Sequence, residues 1–200
     1  MPPFAVNEDA VHEFKDRKAL ERWFVKNHAK APELWIKTHK KDSGLKSVTN
    51  AEALEVALCW GWIDAIRKPF DEKSFLQRYT PRGKRSVWST RNQGIVAKLI
   101  EDGRMQPSGR AEIDRAKDDG RWARAYDGAK TMEFPSDLLA AIEAEPKALE
   151  LFLTLNAQNR YSLAFRTHHM KTEAGRKKKI ESFVEMLKRG ETIYPNGKRK

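Results

Sequence analysis

The chain has no long apolar run. No stretch of about 18 apolar residues, the length of a transmembrane helix, occurs among its 200 residues. Its first residues, Met1 to Phe4, also lack the basic cluster and apolar stretch of an export signal. We therefore expect a soluble protein that is not inserted into a membrane and stays in the cytoplasm.

Cysteine is nearly absent, and several catalytic signatures are missing. The single cysteine, Cys59, excludes an internal disulfide, and its apolar neighbours disfavour a catalytic thiol. No glycine-rich phosphate loop occurs. His168 and His169 are adjacent and diverge on a helix, with no further Cys or His at a metal-ligand spacing. The sequence therefore predicts no metal and no cofactor, and it favours a protein that is not an enzyme.

What the chain does have is positive charge, with 39 Lys and Arg against 28 Asp and Glu and a net charge of +11. The excess lies in two segments. Residues 160–200 carry twelve basic and four acidic residues, and residues 78–104 carry seven basic and two acidic residues. Such a surface attracts nucleic acids, anionic lipids or acidic ligands, although it also serves solubility alone.

Hydrophobic periodicity predicts an α+β fold, with mixed helices and short strands in the N-terminal half and only helices in the C-terminal half. The N-terminal patterns predict a helix over 17–27, a strand over 33–38, a helix from an Asn50 cap through Cys59, a β-hairpin of 62–68 and 75–80, and helices from a Ser89 cap to Asp102 and from Ser108 to Asp118.

From Ser136 onward the patterns predict helices over 136–144, 147–155, 162–170 and 172–189. We expect an α+β region at 1–130, a helical region at 131–195 and a disordered tail at 196–200. The sequence leaves open whether the two regions share one core, and it does not indicate an oligomeric state.

The densest group of unusual residues flanks the predicted hairpin. Period-two alternation puts Trp62 and Asp64 on one face of its first strand. The planar guanidinium of Arg82 suits a carboxylate or a phosphate. If these side chains converge on a cavity that solvent can enter, they predict a site for an anionic small molecule or partner, formed by Trp62, Asp64, Arg82, Ser86, Trp88 and Asn92.

Two other interpretations of these residues stay open. In the first, Asp64 and Arg82 form an internal ion pair, the tryptophans are core residues and Ser89 is a helix cap helped by Asn92. In the second, the protein is an enzyme with Asp64 as general base, although a nearby Arg82 would keep that carboxylate ionised.

The basic C-terminal helices offer a different kind of partner. Four consecutive basic residues at 176–179 fan around a helix at about 100° each, so most of them are solvated. Arg176 falls on the same side as Ile180. The alternative function is nucleic-acid binding through Arg166, Lys171, Arg176, Lys177, Lys178 and Lys179.

Short motifs along the chain are shared with one bacterial family. They are Trp23-Phe24, Ala57 to Asp64, Tyr79 to Arg82, Ser86 to Ser89 with Asn92, Gly103 to Met105, Asp119 to Trp122 and Arg176 to Ile180. On these motifs the chain resembles the YdeI/OmpD-associated (OmdA) family, labelled bacteriocin-protection proteins, over about residues 14–190. Trp60, Ala65 and Gly175 depart from the family pattern. The resemblance implies a stress-resistance protein with no established reaction or cofactor.

Overall fold

The structure, a computed structural model, describes residues 5–128 and 131–197. The chain divides into two compact units, Met1–Ala125 and Tyr126–Lys200. The first unit combines a sheet with helices, and the described part of the second is helical. The predicted α+β fold with a helical C-terminal half is therefore confirmed. Within the described ranges, none of the helices combines the length and apolar character that a membrane span requires.

The first unit alternates strands and helices. In chain order they are β1 (Val11–Glu13), α1 (Arg17–Asn27), β2 (Leu34–His39), α2 (Asn50–Cys59), β3 (Trp62–Pro69), β4 (Ser74–Pro81), α3 (Thr90–Glu101) and α4 (Pro107–Asp118). Short 3-10 turns at Glu8–Ala10 and Lys41–Ser43 precede β1 and follow β2.

The four strands form one sheet in the order β1-β2-β4-β3. The β3–β4 pair is the predicted hairpin, and it is antiparallel with an irregularity between Asp64 and Arg67. β2 pairs antiparallel with β4, whereas β1 pairs parallel with β2. β1 was not predicted, since three residues are too few to show a periodicity.

Helix α2 has buried residues in two hydrophobic clusters. Ala53, Val56 and Ala57 belong to a cluster with residues of α1 and the sheet, such as Phe24 and Ile36. Leu54, Leu58 and Cys59 belong to a second cluster. This cluster also contains Val96 and Leu99 of α3, Ile113 of α4, and Trp88. α2 is therefore the central helix of the unit.

The N-terminus of α2 is a capping box. The Thr49 hydroxyl accepts from the Glu52 backbone N–H, and the Glu52 carboxylate accepts from the Thr49 backbone N–H. The prediction of Asn50 as the cap was wrong by one residue, because only Thr49 has the glutamate at the spacing that makes the exchange reciprocal.

The close contact between α2 and α4 depends on Gly109. The Gln106 backbone N–H donates to the Cys59 carbonyl oxygen, which brings the start of α4 against the end of α2. A Cβ atom at position 109 would overlap that same carbonyl oxygen. This crossing therefore requires a residue without a side chain.

The second unit packs four helices around one cluster. They are α5 (Ser136–Glu143), α6 (Pro146–Thr154), α7 (Ala157–His168) and α8 (Glu173–Lys188), and the cluster includes Leu138, Ile142, Phe152, Leu163, Phe183 and Leu187.

Two local features of the second unit differ from expectation. α7 begins at Ala157 and not at Ser162, because the Asn156 side chain accepts from the Asn159 N–H and caps the helix earlier. Asn196, in the predicted disordered tail, accepts from the Asn156 backbone N–H and donates to the Thr154 carbonyl oxygen. The last three residues of that tail, 198–200, lie outside the described residues.

Candidate anion-binding site

The segment after β4 folds back so that Arg82 lies against Trp88. The Arg82 Cζ is 3.6 Å from the centroid of the Trp88 ring, and its Nη1 donates to the Val87 carbonyl oxygen at 3.2 Å. Both residues are buried, with 5% and 2% of their surface exposed. Stacking a guanidinium on a desolvated indole is favourable and fixes the plane of the fork.

Two further arginines approach the same segment, Arg115 from α4 and Arg121 from the turn that follows α4. Arg121 donates from Nη1 to the Ser86 carbonyl oxygen at 2.7 Å and from Nε to the Asp119 carboxylate at 2.8 Å. Arg115 donates from Nη2 to the Glu112 carboxylate and, at 3.4 Å, to the Arg82 carbonyl oxygen. We call Arg82, Arg115 and Arg121 the arginine cluster.

Glu112 is a carboxylate inside this cluster. Its burial raises its pKa above the ordinary value, against the lowering effect of the positive charges of Arg115, Arg121 and Arg82. The cluster contains two carboxylates, the partly buried Glu112 beside Arg115 and Asp119 beside Arg121. The exposed Lys84 and Arg85 on the adjoining segment add further positive charge.

The cluster also contains donors without acceptors. Within the described part of the chain, Arg121 Nη2 and Arg115 Nε are buried and have no hydrogen-bond partner. A buried N–H group that makes no hydrogen bond destabilises the fold, more so when the group is charged. An oxygen-rich anion is the kind of molecule that would accept from such donors, since guanidinium forks match phosphate and carboxylate geometry.

The six residues predicted as the binding surface do not all lie together. Arg82 belongs to the arginine cluster. Trp88 contacts it through its ring, and Ser86 through its backbone carbonyl. Trp62 lies in the other hydrophobic cluster, where its Nε1 donates to the His28 carbonyl oxygen.

Asp64 and Asn92 also have separate surroundings. Asp64 is partly exposed on β3 opposite Tyr79, and among the described residues no ion pair joins it to Arg82. The ion pair expected between them is therefore wrong. Asn92 is buried in the first turn of α3, where its backbone N–H donates to the capping hydroxyl of Ser89, as predicted for that cap.

Glu112, Arg115 and Arg121 were not predicted from the sequence. Two features of the sequence could have indicated them. Glu112 and Arg115 stand three residues apart on one helix, the spacing of an ion pair. Gly120 has a φ of +74°, and this turn after α4 returns Arg121 toward Ser86.

The residues predicted to bind nucleic acid lie in the second unit. Arg166, Lys171, Lys177 and Lys178 are exposed. Arg176 instead donates to both carboxylate oxygens of Asp137 and to the Thr167 carbonyl oxygen. Lys179 is half-buried, with its Nζ 5.5 Å from the centroid of the Phe183 ring.

The described residues include no reactive thiol and no metal-binding group. Burial raises the pKa of the Cys59 thiol to about 11, so that thiol stays protonated at neutral pH. Within residues 5–128 and 131–197, no group of three or more His, Cys, Asp or Glu side chains is arranged to hold a metal ion.

Two known families match the sequence. The family described as Domain of unknown function (DUF8412) matches residues 12–112. The family described as Bacteriocin-protection, YdeI or OmpD-Associated (OmdA) matches residues 131–190.

The second match confirms the resemblance to the OmdA family in the C-terminal part and suggests a bacteriocin-protection-like role at the level of the family. The motifs between Trp23 and Met105 that were attributed to the same family lie within the segment matched by the first. No curated protein and no solved structure gives a significant match.

Proposed function

Since the chain belongs to the family described as Domain of unknown function (DUF8412) and carries an OmdA segment at residues 131–190, we propose that its first unit is a binding module for a small oxyanion. The binding site is the arginine cluster of Arg82, Arg115 and Arg121. Its ligand carries phosphate or carboxylate oxygens.

One observation supports this proposal most directly: two guanidinium groups of the cluster have buried N–H donors that lack acceptors among the described residues. These donors are Nη2 of Arg121 and Nε of Arg115. A bound oxyanion would supply these acceptors.

Access to the cluster differs among its members. The side chain of Arg115 is 39% exposed, whereas that of Arg121 is 9% exposed. An anion would therefore enter beside Arg115 and reach the deeper Arg121. Arg82, stacked on Trp88, is pre-organised and loses little conformational freedom on binding.

The proposal assigns binding and not catalysis to this site. Guanidinium groups stay protonated at physiological pH, so they cannot act as general bases, and the Glu112 carboxylate accepts a hydrogen bond from Arg115. The bacteriocin-protection-like role of the family then corresponds to holding an anionic metabolite, or the acidic group of a partner.

The test is a calorimetric titration with inorganic pyrophosphate in a buffer free of phosphate and carboxylate. We expect Arg115→Ala to weaken pyrophosphate binding by about tenfold or more, since a charge-assisted hydrogen bond contributes about 1.5–3 kcal/mol. Arg115→Lys, which keeps the charge and loses the fork, should give an intermediate affinity.

The matched control is Arg110→Ala. Arg110 lies on the same helix, is exposed, and has no ion pair to the described residues. The Arg110→Ala protein should bind pyrophosphate with the affinity of the unmodified protein. Equal losses in the Arg110 and Arg115 variants, or no binding by the unmodified protein, would reject the arginine cluster as the site.

A second candidate function is nucleic-acid binding by the second unit. It is favoured by the exposure of Arg166, Lys171, Lys177 and Lys178. If these four residues neutralise four phosphates, the logarithm of the affinity for double-stranded DNA should fall with the logarithm of salt concentration with a slope of about −3.6.

The nucleic-acid test compares a variant that loses two lysines with a control that loses one. Replacing both Lys177 and Lys178 by Gln should reduce the salt slope by about 2, whereas Lys147→Gln, at another exposed position in the same unit, should leave it unchanged. A flat salt response in the unmodified protein would exclude this function.

A further inference from the structure

A concave region of the first unit shares no residue with the arginine cluster. It is a cavity of about 600 Å³ formed by the residues just before α1, the end of β2, the segment that leads into α2, and Phe75 of β4. This volume is within the range of small-molecule sites.

The charge around this cavity is unbalanced. Four lysines line it, Lys15, Lys40, Lys41 and Lys46, against two acids. Lys40 donates to the Glu72 carbonyl oxygen, but within the described residues no carboxylate lies within ion-pair distance of the other three. The lysines therefore present free positive charge to the cavity.

The carboxylates of both acids accept hydrogen bonds at helix N-termini. Asp16 accepts from the Ala19 N–H at the start of α1, and Glu52 accepts from the N–H and hydroxyl of Thr49 at the start of α2. Asp16 and Thr49 also line the cavity, so the N-termini of α1 and α2 adjoin it.

A buried hydroxyl gives an independent sign of a ligand. Thr38 lines the cavity and is 4% exposed, and its Oγ1 has no hydrogen-bond partner in the described part of the chain. Thr38 and Phe75 are paired in register across β2 and β4, so their side chains share one face of the sheet. Thr38 thus lies at the floor of the cavity, beside an aromatic ring.

The cavity also has apolar walls. Val48 is buried, Phe75 is half-buried and Leu45 is 55% exposed, and all three line it. An inorganic ion would leave this apolar surface uncovered. A molecule with a phosphate at one end and a ring at the other would use both the lysines and the apolar walls.

We propose that this cavity is a second binding site, which takes an organic monophosphate of nucleotide size. The phosphate contacts Lys41 and Lys46. The ring lies against Phe75 and Leu45, and the Thr38 hydroxyl hydrogen-bonds to the ligand.

The test uses three probes in calorimetric titrations: adenosine 5′-monophosphate, inorganic phosphate and adenosine. The order expected is the nucleotide first, phosphate weaker, and adenosine without detectable binding at millimolar concentration. Replacing both Lys41 and Lys46 by Gln should weaken nucleotide binding at least tenfold. The matched control replaces Lys26 and Lys30, two exposed lysines of the same unit that do not line the cavity, and should leave the affinity unchanged.

Thr38→Val provides the sharpest variant, because valine has the shape of threonine without its hydroxyl. The variant should fold with an unchanged or higher melting temperature, and it should bind the nucleotide several-fold more weakly. If the Thr38→Val protein and the Lys41/Lys46 variant both kept the nucleotide affinity of the unmodified protein, the inference would be overturned. Absence of nucleotide binding by the unmodified protein would overturn it as well.

The two proposed sites are distinguished by Arg115→Ala. This variant should retain the nucleotide affinity of the unmodified protein while it loses pyrophosphate. If it loses the nucleotide instead, the nucleotide binds at the arginine cluster, and the second site is wrong while the first stands.

Discussion

The two units differ in how many buried polar atoms lack a hydrogen-bond partner: among the described residues most of these atoms lie in the first unit, and His169 Nε2 lies in the second. In the second unit, Asn159, Ser162 and Thr167 are buried and each donates a side-chain hydrogen bond to a carbonyl oxygen. In the first unit, Thr38 and Arg121 are equally buried, yet among the described residues Thr38 Oγ1 and Arg121 Nη2 have no partner. Unsatisfied polar groups persist in folded proteins mainly where something else uses them. This difference supports the proposed ligand binding by the first unit.

The secondary structure of the units explains the difference. A helix offers a buried Ser or Thr the carbonyl oxygen four residues earlier, and both Ser162 and Thr167 use it. Strands commit their carbonyl groups to the ladder, and a side chain such as Thr38 must find a partner elsewhere. Segments between strands and helices are also where guanidinium groups of different elements meet, as at Ser86.

The largest effect is expected from the core of the second unit. Leu138 is fully buried, and Leu138→Ala should lower the free energy of unfolding by about 3 kcal/mol. Because the arginine cluster belongs to the first unit, pyrophosphate affinity measured under folding conditions should not change. Urea denaturation with calorimetry checks both. Leu153→Ala, at a position that is 65% exposed, is the control and should change stability by less than about 0.5 kcal/mol.

Gly109 tests the packing that brings α4 to the arginine cluster. Gly109→Ala should destabilise the protein by about 2 kcal/mol, because its Cβ would clash with the Cys59 carbonyl oxygen. Gly94→Ala, in α3, meets open space and should stabilise by about 0.5–1 kcal/mol. The same urea experiment measures both variants. A Gly109→Ala protein as stable as the Gly94→Ala protein would contradict the close helix contact.

The comparison of units is tested most simply by two threonines. Thr38→Val should raise the free energy of unfolding by about 1 kcal/mol, since it removes a buried hydroxyl without a partner. Thr167→Val should lower it by about 1 kcal/mol, since that hydroxyl donates to the Leu163 carbonyl oxygen. Thermal or urea unfolding reports the signs. Equal signs for both variants would remove the distinction between the units.

The smallest effects are in the pH dependence. Arg176 holds the pKa of Asp137 below its usual range, so this ion pair stabilises the fold above the ordinary Asp pKa and is lost as the pH falls through the lowered one. Asp137→Asn should therefore be most destabilising at neutral pH.

Glu112 should show the opposite trend. Burial raises its pKa, so its contribution is fully present below the ordinary Glu pKa and is lost as the pH rises through the raised value. The stability of the unmodified protein relative to Glu112→Gln should therefore decrease between about pH 4 and neutral pH, as urea denaturation at several pH values would show. Parallel trends for Asp137→Asn and Glu112→Gln would contradict the assigned pKa directions.

The elements could be predicted from the sequence where local patterns determine them. The hairpin and the helix capped by Ser89 follow from alternation, periodicity and a capping residue, and each is confirmed. β1 could not be found in this way, because a three-residue parallel strand exists only through its pairing with β2.

The candidate site was predicted only in part for a similar reason. Arg82 and Trp88 are neighbours in sequence, and their contact was within reach of a local argument. Arg121 and Glu112 reach the same place through the packing of α4 on α2, which depends on Gly109. No local pattern encodes that contact between distant segments.

The central claim, that the arginine cluster binds an oxyanion, is tested most directly by nuclear magnetic resonance of the arginine side chains. In a pyrophosphate titration, the Nε–H signals of Arg82, Arg115 and Arg121 should shift with one shared saturation curve, while those of Arg110 and Arg176 stay in place. Signals of the three cluster arginines that do not move, or that move no more than those of Arg110, would contradict the account.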